Sequence, residues 1–217
     1  MNWQLTLFIS FLFLSILFKS DPTMAQDERF YRKIFTGNLR PSKSQISQMN
    51  DFKNVISSSI YKVDLNRDGV DEGIILEKKD GNDYIKIVDN IGRSWFEYRL
   101  ETLGTESKVY KIMLKSLTKD SDVLIVHFYE GAIESSVFEA SARLYFISID
   151  KRDLKSLKIF KGPHYWHEKE VGYKYWNRFY NVNVFDYNKD GRKEISVNYN
   201  KIARIYFYLG YGRWKRL

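Results

Sequence analysis

The chain contains no cysteine. Disulfide staples, thiolate metal sites and thiol nucleophiles are therefore excluded, and the chain must be held by its core or by bound ions. Histidine is scarce, with 3 residues in 217, which leaves little material for imidazole catalysis or transition-metal ligation. Only 3 prolines occur, too few for a proline-rich tract.

What is present points to a packed chain. A hydrophobic share of 44%, with 17% aromatic residues, argues against disorder. The 16 tyrosines and 15 phenylalanines, together with many Ile and Val residues, fit pleated strands, so the expected class is all-β. Basic residues outnumber acidic ones 35 to 27, for a net charge of +8. In an exported protein this favours an anionic envelope polymer or a protein as partner, over nucleic acid.

Leu5 to Phe18, "LTLFISFLFLSILF", is an uncharged run shorter than the roughly 20 residues of a spanning helix. With the small residues Thr23 and Ala25 after it, residues 1–25 read as a signal peptide, although "MNWQ" lacks the usual basic residue. The expectation is a secreted or periplasmic protein with no stable transmembrane span after cleavage; an uncleaved anchor is the alternative. Residues 26–54, with Pro41 and clustered serines, read as an irregular lead-in.

Residues 55–217 read as a single all-β repeat domain of three consecutive four-stranded antiparallel meanders, with units about 55–101, 108–161 and 176–217. The first comprises "IYKV" (60–63), "GIILEK" (73–78), "DYIKIVD" (83–89) and "SWFEYRL" (94–100). The second comprises 109–117, 122–129, 142–150 and 156–160, and the third 178–185, 194–199, 203–209 and 213–217. Gly, Asp and Asn fill the separators, as turns require.

Between strands one and two of the first and third units the same acidic loop recurs. Oxygen-bearing side chains stand at positions 1, 3, 5 and 9: Asp64, Asn66, Asp68 and Glu72, then Asp186, Asn188, Asp190 and Glu194. Alternating oxygens on a tight loop suit a hard cation, Gly69 and Gly191 permit the bend at position 6, and the carbonyl of Val70 or Arg192 can add a ligand. An EF-hand would need an acidic residue at position 12, where Ile75 and Val197 sit instead. In the second unit the place holds "SLTKDSD", 116–122, a degenerate copy.

The loop D-x-N-x-D-G-x-x-E between strands resembles the calcium loop of FG-GAP and VCBS-type repeats, the blades of integrin-alpha-like β-propellers. The resemblance implies two structural calcium ions, each holding a blade loop rigid. Closed propellers use four to eight blades, so three units imply an incomplete, open or oligomeric arrangement. Asp71 adds negative charge to the first loop, whereas Lys189, Arg192 and Lys193 crowd the second, which predicts tighter binding at Asp64 to Glu72.

Other candidates are weaker. "GPHYWHEKE" (162–170) offers His164, His167 and Glu168 in what reads as an exposed, turn-rich aromatic loop, and His127 stands apart in an apolar strand. Tyr165, Trp166, Tyr173, Tyr175 and Trp176 read as packing or ligand contacts. Ser59 to Lys62 and Ser116 to Lys119 match S-x-x-K without the partners of an acyl-transfer site. Glu130, Glu134 and Glu139 in "YEGAIESSVFEA" read as a solvated loop. At the C-terminus Lys201, Arg204, Arg213, Lys215 and Arg216 interleave with Tyr206, Tyr208, Tyr211 and Trp214, a pattern of anion sites and of ordinary edge strands alike. The expected function is a calcium-stabilised binding module. The alternative is a secreted hydrolase of glycans or other envelope polymers, with its site in the 130–139 insertion or at His164 and His167.

Overall fold

A computed structural model describes residues 60–102, 106–134, 137–171, 174–199 and 202–217, without the side chains of 106, 132–134 and 137. All lie in the unit Met49–Leu217. The expected signal peptide and lead-in, Ser59, Tyr173 and Lys201 fall outside the described residues. Among the described residues no helix is long and apolar enough to cross a membrane.

The architecture is all-β, in three antiparallel sheets, one of them curled into a half-barrel. The first sheet has the order β1 (Ile60–Val63), β2 (Glu72–Lys79), β3 (Asn82–Val88), β4 (Ser94–Arg99). The second is β5 (Glu106–Ser116), β6 (Ser121–Glu134), β7 (Val137–Asp150), β8 (Lys158–Val171), β9 (Lys174–Phe179). The third is β10 (Asn181–Phe185), β11 (Glu194–Tyr199), β12 (Ile202–Gly210), β13 (Arg213–Arg216).

Turn chemistry sets these boundaries. Asp80 and Gly81 both take positive φ, 50° and 74°, the two-residue turn whose twist matches that of paired strands. It fixes the pairing of Lys79 with Asn82.

The second sheet corrects the sequence reading in three ways. It has five strands, not four. The described parts of "YEGAIESSVFEA", 129–134 and 137–140, belong to β6 and β7, with Glu130 paired to Ser141, and "GPHYWHEKE" lies within β8. Residues 176–179, read as the start of the third unit, belong to β9.

The centre of this sheet is buried on both faces, as every residue from Asp122 to Gly131 in β6 and from Leu144 to Asp150 in β7 is covered. One face carries Leu124, Val126, Phe128, Tyr145, Ile147 and Ile149, which join Leu65, Ile74, Ile85, Ile87 and Leu100 of the first sheet and its loops in one apolar cluster. On the other face Phe146 meets Phe160, Tyr206 and Trp214 at ring spacings of 5.9, 5.7 and 5.0 Å. The period of two in β7 thus sends alternate residues to different neighbouring sheets. Tyr180 alone separates β9 from β10.

Candidate metal centre

The two motif loops share one hydrogen-bond pattern. In the first, Asp64 accepts the N–H of Asp68 at 3.2 Å and of Gly69 at 3.0 Å. Asn66 Oδ1 also accepts from Asp68 N–H, and its amide donates to Asp68 Oδ2 at 2.8 Å. Asp68 Oδ1 accepts Val70 N–H at 2.8 Å. In the second, Asp186 accepts from Asp190 and Gly191, Asn188 accepts from and donates to Asp190, and Asp190 accepts Arg192 N–H. The distances agree within about 0.2 Å, a difference without energetic weight for such bonds.

Backbone conformation repeats as well. Gly69 and Gly191 have φ of 85° and 82°, as their place at the bend requires. Arg67 and Lys189, at position 4, also sit at positive φ, 59° and 60°, which residue identity did not foretell.

The position-9 carboxylates lie behind the loops. Glu72 and Glu194 are each 2% exposed, and each accepts the backbone N–H of position 2, from Leu65 and Tyr187, at 2.7 Å. Burial, with the charges of Asp68 and Asp64, pushes Glu72 above the ordinary carboxylate value despite that bond. In the second loop the Arg192 N–H, the Asn188 amide and the Arg192 charge hold Asp190 below it.

The donor set is all hard oxygen, which fits calcium better than a softer transition metal. Asp64, Asn66, Asp68, the Val70 carbonyl and Glu72 would hold one ion, and Asp186, Asn188, Asp190, the Arg192 carbonyl and Glu194 the other. Among the described residues no three His, Asp or Glu side chains are grouped as a metal shell by themselves. When bound, calcium would supply positive charge to offset the mutual repulsion of Glu72, Asp68 and Asp64.

The degenerate loop holds a residue that sequence reasoning missed. Val63 pairs with Glu72, Phe185 with Glu194, and Ser116 with Asp122. Asp122 is thus the register equivalent of the position-9 glutamates, reached by a shorter loop. It is 3% exposed and takes the Ser116 hydroxyl at 2.6 Å and the Arg67 guanidinium at 2.7 Å. The second motif loop also reaches this turn, where Lys193 N–H donates to the Leu117 carbonyl at 2.8 Å. Both acidic loops therefore contact the 116–122 turn.

The remaining candidates lie elsewhere in the middle sheet or on the third. His127 is buried, its Nδ1 2.9 Å from the Tyr165 hydroxyl; burial, then the Lys111 charge, hold it well below the ordinary imidazole value. Glu168 is buried and accepts the hydroxyls of Tyr129 and Tyr175 at 2.9 and 2.7 Å. His164 lies 3.9 Å from buried Glu130 and 3.2 Å from Arg143, and its ring stands 5.1 Å from that of His167. Glu139 pairs with Lys169, and the Glu134 side chain is outside the described residues. Ser116 Oγ is engaged by Arg67 and Asp122, which gives it a structural role.

Tyr165 and Trp166, expected on an exposed loop, are buried, whereas Tyr175 and Trp176 are exposed. At the C-terminus Tyr206 and Tyr208 are buried and Trp214 packs on Phe146, while Arg213, Lys215 and Arg216 face solvent. No protein-family model, curated protein or solved structure matches the chain.

Proposed function

We propose that the chain is an exported, calcium-binding, calcium-stabilised β-repeat module of the FG-GAP or VCBS kind, β-propeller-like in the serial packing of its sheets, that binds a protein or an envelope polymer. The observation that carries this is the recurrence of one loop, bond for bond, at two places separated by more than a hundred residues and backed each time by a buried glutamate. An ordinary turn uses Asn or Asp for one or two such bonds; each of these loops brings four oxygen-bearing side chains together at the same offsets.

The calcium is structural. Without disulfides, an ion that binds only the folded loops adds stability by mass action, about 2.7 kcal/mol at a hundredfold excess over the dissociation constant. Docking of both loops on the 116–122 turn carries that rigidity into the middle sheet.

Thermal unfolding of the full chain with calcium and with chelator tests this. The expected result is a rise in Tm with calcium that shrinks in Asp64→Ala and in Asp190→Ala. An unchanged Tm would reduce the motif to turn chemistry.

A further inference from the structure

A strip of cations and rings crosses from the second sheet to the third. Trp176, Arg178 and Tyr180 are alternate residues of one extended stretch, so their side chains share a face. The Arg178 guanidinium lies over the Trp176 ring at 5.3 Å and over the Tyr199 ring at 5.8 Å. Tyr180 stands 5.3 Å from Tyr199, and the Arg204 guanidinium lies 5.7 Å over Tyr180. His167 is the register partner of Arg178. Among the described residues no carboxylate pairs with Arg178 or Arg204, and Trp176 is 50% exposed.

We propose that this strip is the docking face for a carboxylated polysaccharide. It rests on the binding-module reading above, whose partner it names. The rings fix two guanidiniums in place, so less side-chain entropy is lost when each fork meets a carboxylate. A polymer repeating that charge engages both forks at once, and the net charge of +8 draws it in. Trp176, 50% exposed beside Arg178, adds an apolar edge for a sugar next to the guanidinium. Nucleic acid fits less well: base binding needs open rings in succession, and here the two tyrosines are occupied by guanidiniums and by each other.

The test is titration of the full chain with polygalacturonate, with dextran and single-stranded polythymidylate as comparison polymers. Polygalacturonate should bind, more weakly as salt rises, and dextran should not. Arg178→Gln and Arg204→Gln should each weaken binding about five- to tenfold, and Trp176→Ala by a similar factor, as expected for charge-assisted and ring contacts. Arg178→Lys keeps charge and fold but loses the fork, and should fall between. Arg93→Gln, which removes a guanidinium 4.1 Å over Trp95 on the first sheet, should leave affinity unchanged.

Equal losses in Arg93→Gln, no loss in Arg178→Gln, or tighter binding of polythymidylate through the same arginines would each overturn the proposal. Calcium-dependent Tm is read on every variant. If it persists while polygalacturonate fails to bind, the polysaccharide assignment falls and the calcium module stands; if the calcium response is lacking in the parent chain, the module reading itself falls.

Discussion

The guanidinium of Arg67 reaches the buried carboxylate of Asp122 at 2.7 Å, bridging the first motif loop to the middle sheet across 55 positions of sequence. The Arg67 side chain is 41% exposed and that of Asp122 only 4%, so the pair is neither a surface bridge nor a fully buried one. Arg67→Ala should cost about 1–2 kcal/mol, because it leaves an interior carboxylate with fewer donors. A double-mutant cycle with Asp122→Ala in urea unfolding should return a coupling of about 1 kcal/mol. Additive losses would mean the contact holds nothing.

Glycines separate two kinds of strain. A Cβ at Gly191 would meet nothing within 4 Å, so Gly191→Ala should cost only its φ of 82°, about 1 kcal/mol. At Gly212 a Cβ would fall 2.3 Å from Lys158 Cβ. Gly212→Ala adds an overlap between the third sheet and the second, and should lose about 2–3 kcal/mol. Equal urea midpoints for the two variants would contradict this.

Loop charge should set the order of metal affinity. Glu72 is pushed up by burial and, after it, by the charges of Asp68 and Asp64, whereas Asp190 is held down by donors and by Arg192, so a cation relieves more repulsion in the first loop. One extra charge near contact is worth about 1 kcal/mol in water, about fivefold in affinity. Calcium titration should therefore lose its tighter event in Asp64→Ala and keep it in Asp190→Ala. The reverse assignment would refute the charge argument.

Acid should weaken the fold through His127. Its folded pKa lies well below the ordinary imidazole value, so below about 6.5 the unfolded chain takes up a proton that the folded one refuses. The stability present above that pH is lost as pH falls toward the folded value. His167, also lowered, chiefly by burial, acts in the same direction. Glu72 has the opposite sign, since its raised value favours the fold at low pH. Urea midpoints at pH 7.5 and 5.5 should drop less in His127→Gln than in the parent, with Glu72→Gln as the control. Parallel drops would remove His127 as the cause.

The first and third sheets were legible in sequence because Asn, Asp and Gly mark their turns; "EISVNY" matches β11 residue for residue. The middle sheet was not. Gly162 and Pro163 read as a loop, but they fall where the β7–β8 register shifts between Arg143 and Tyr145, an irregularity that accommodates a residue lacking an N–H. Glu130 read as solvated because charge usually is. It pairs with Ser141 across a hairpin longer than the flanking apolar runs announced. The acidic loops were visible as motifs, whereas Asp122, their equivalent, shares no spacing with them and emerges only from pairing.

The doubly covered middle sheet has a consequence for exchange with solvent. Backbone amides of the covered stretches of β6 and β7, 122–131 and 144–150, are shielded from both sides, so their hydrogens should leave only when the whole unit opens, while β1, β4 and β13 exchange through local fraying. A ligand that slows the edges alone has tightened a loop; one that slows the interior strands has deepened the native well itself.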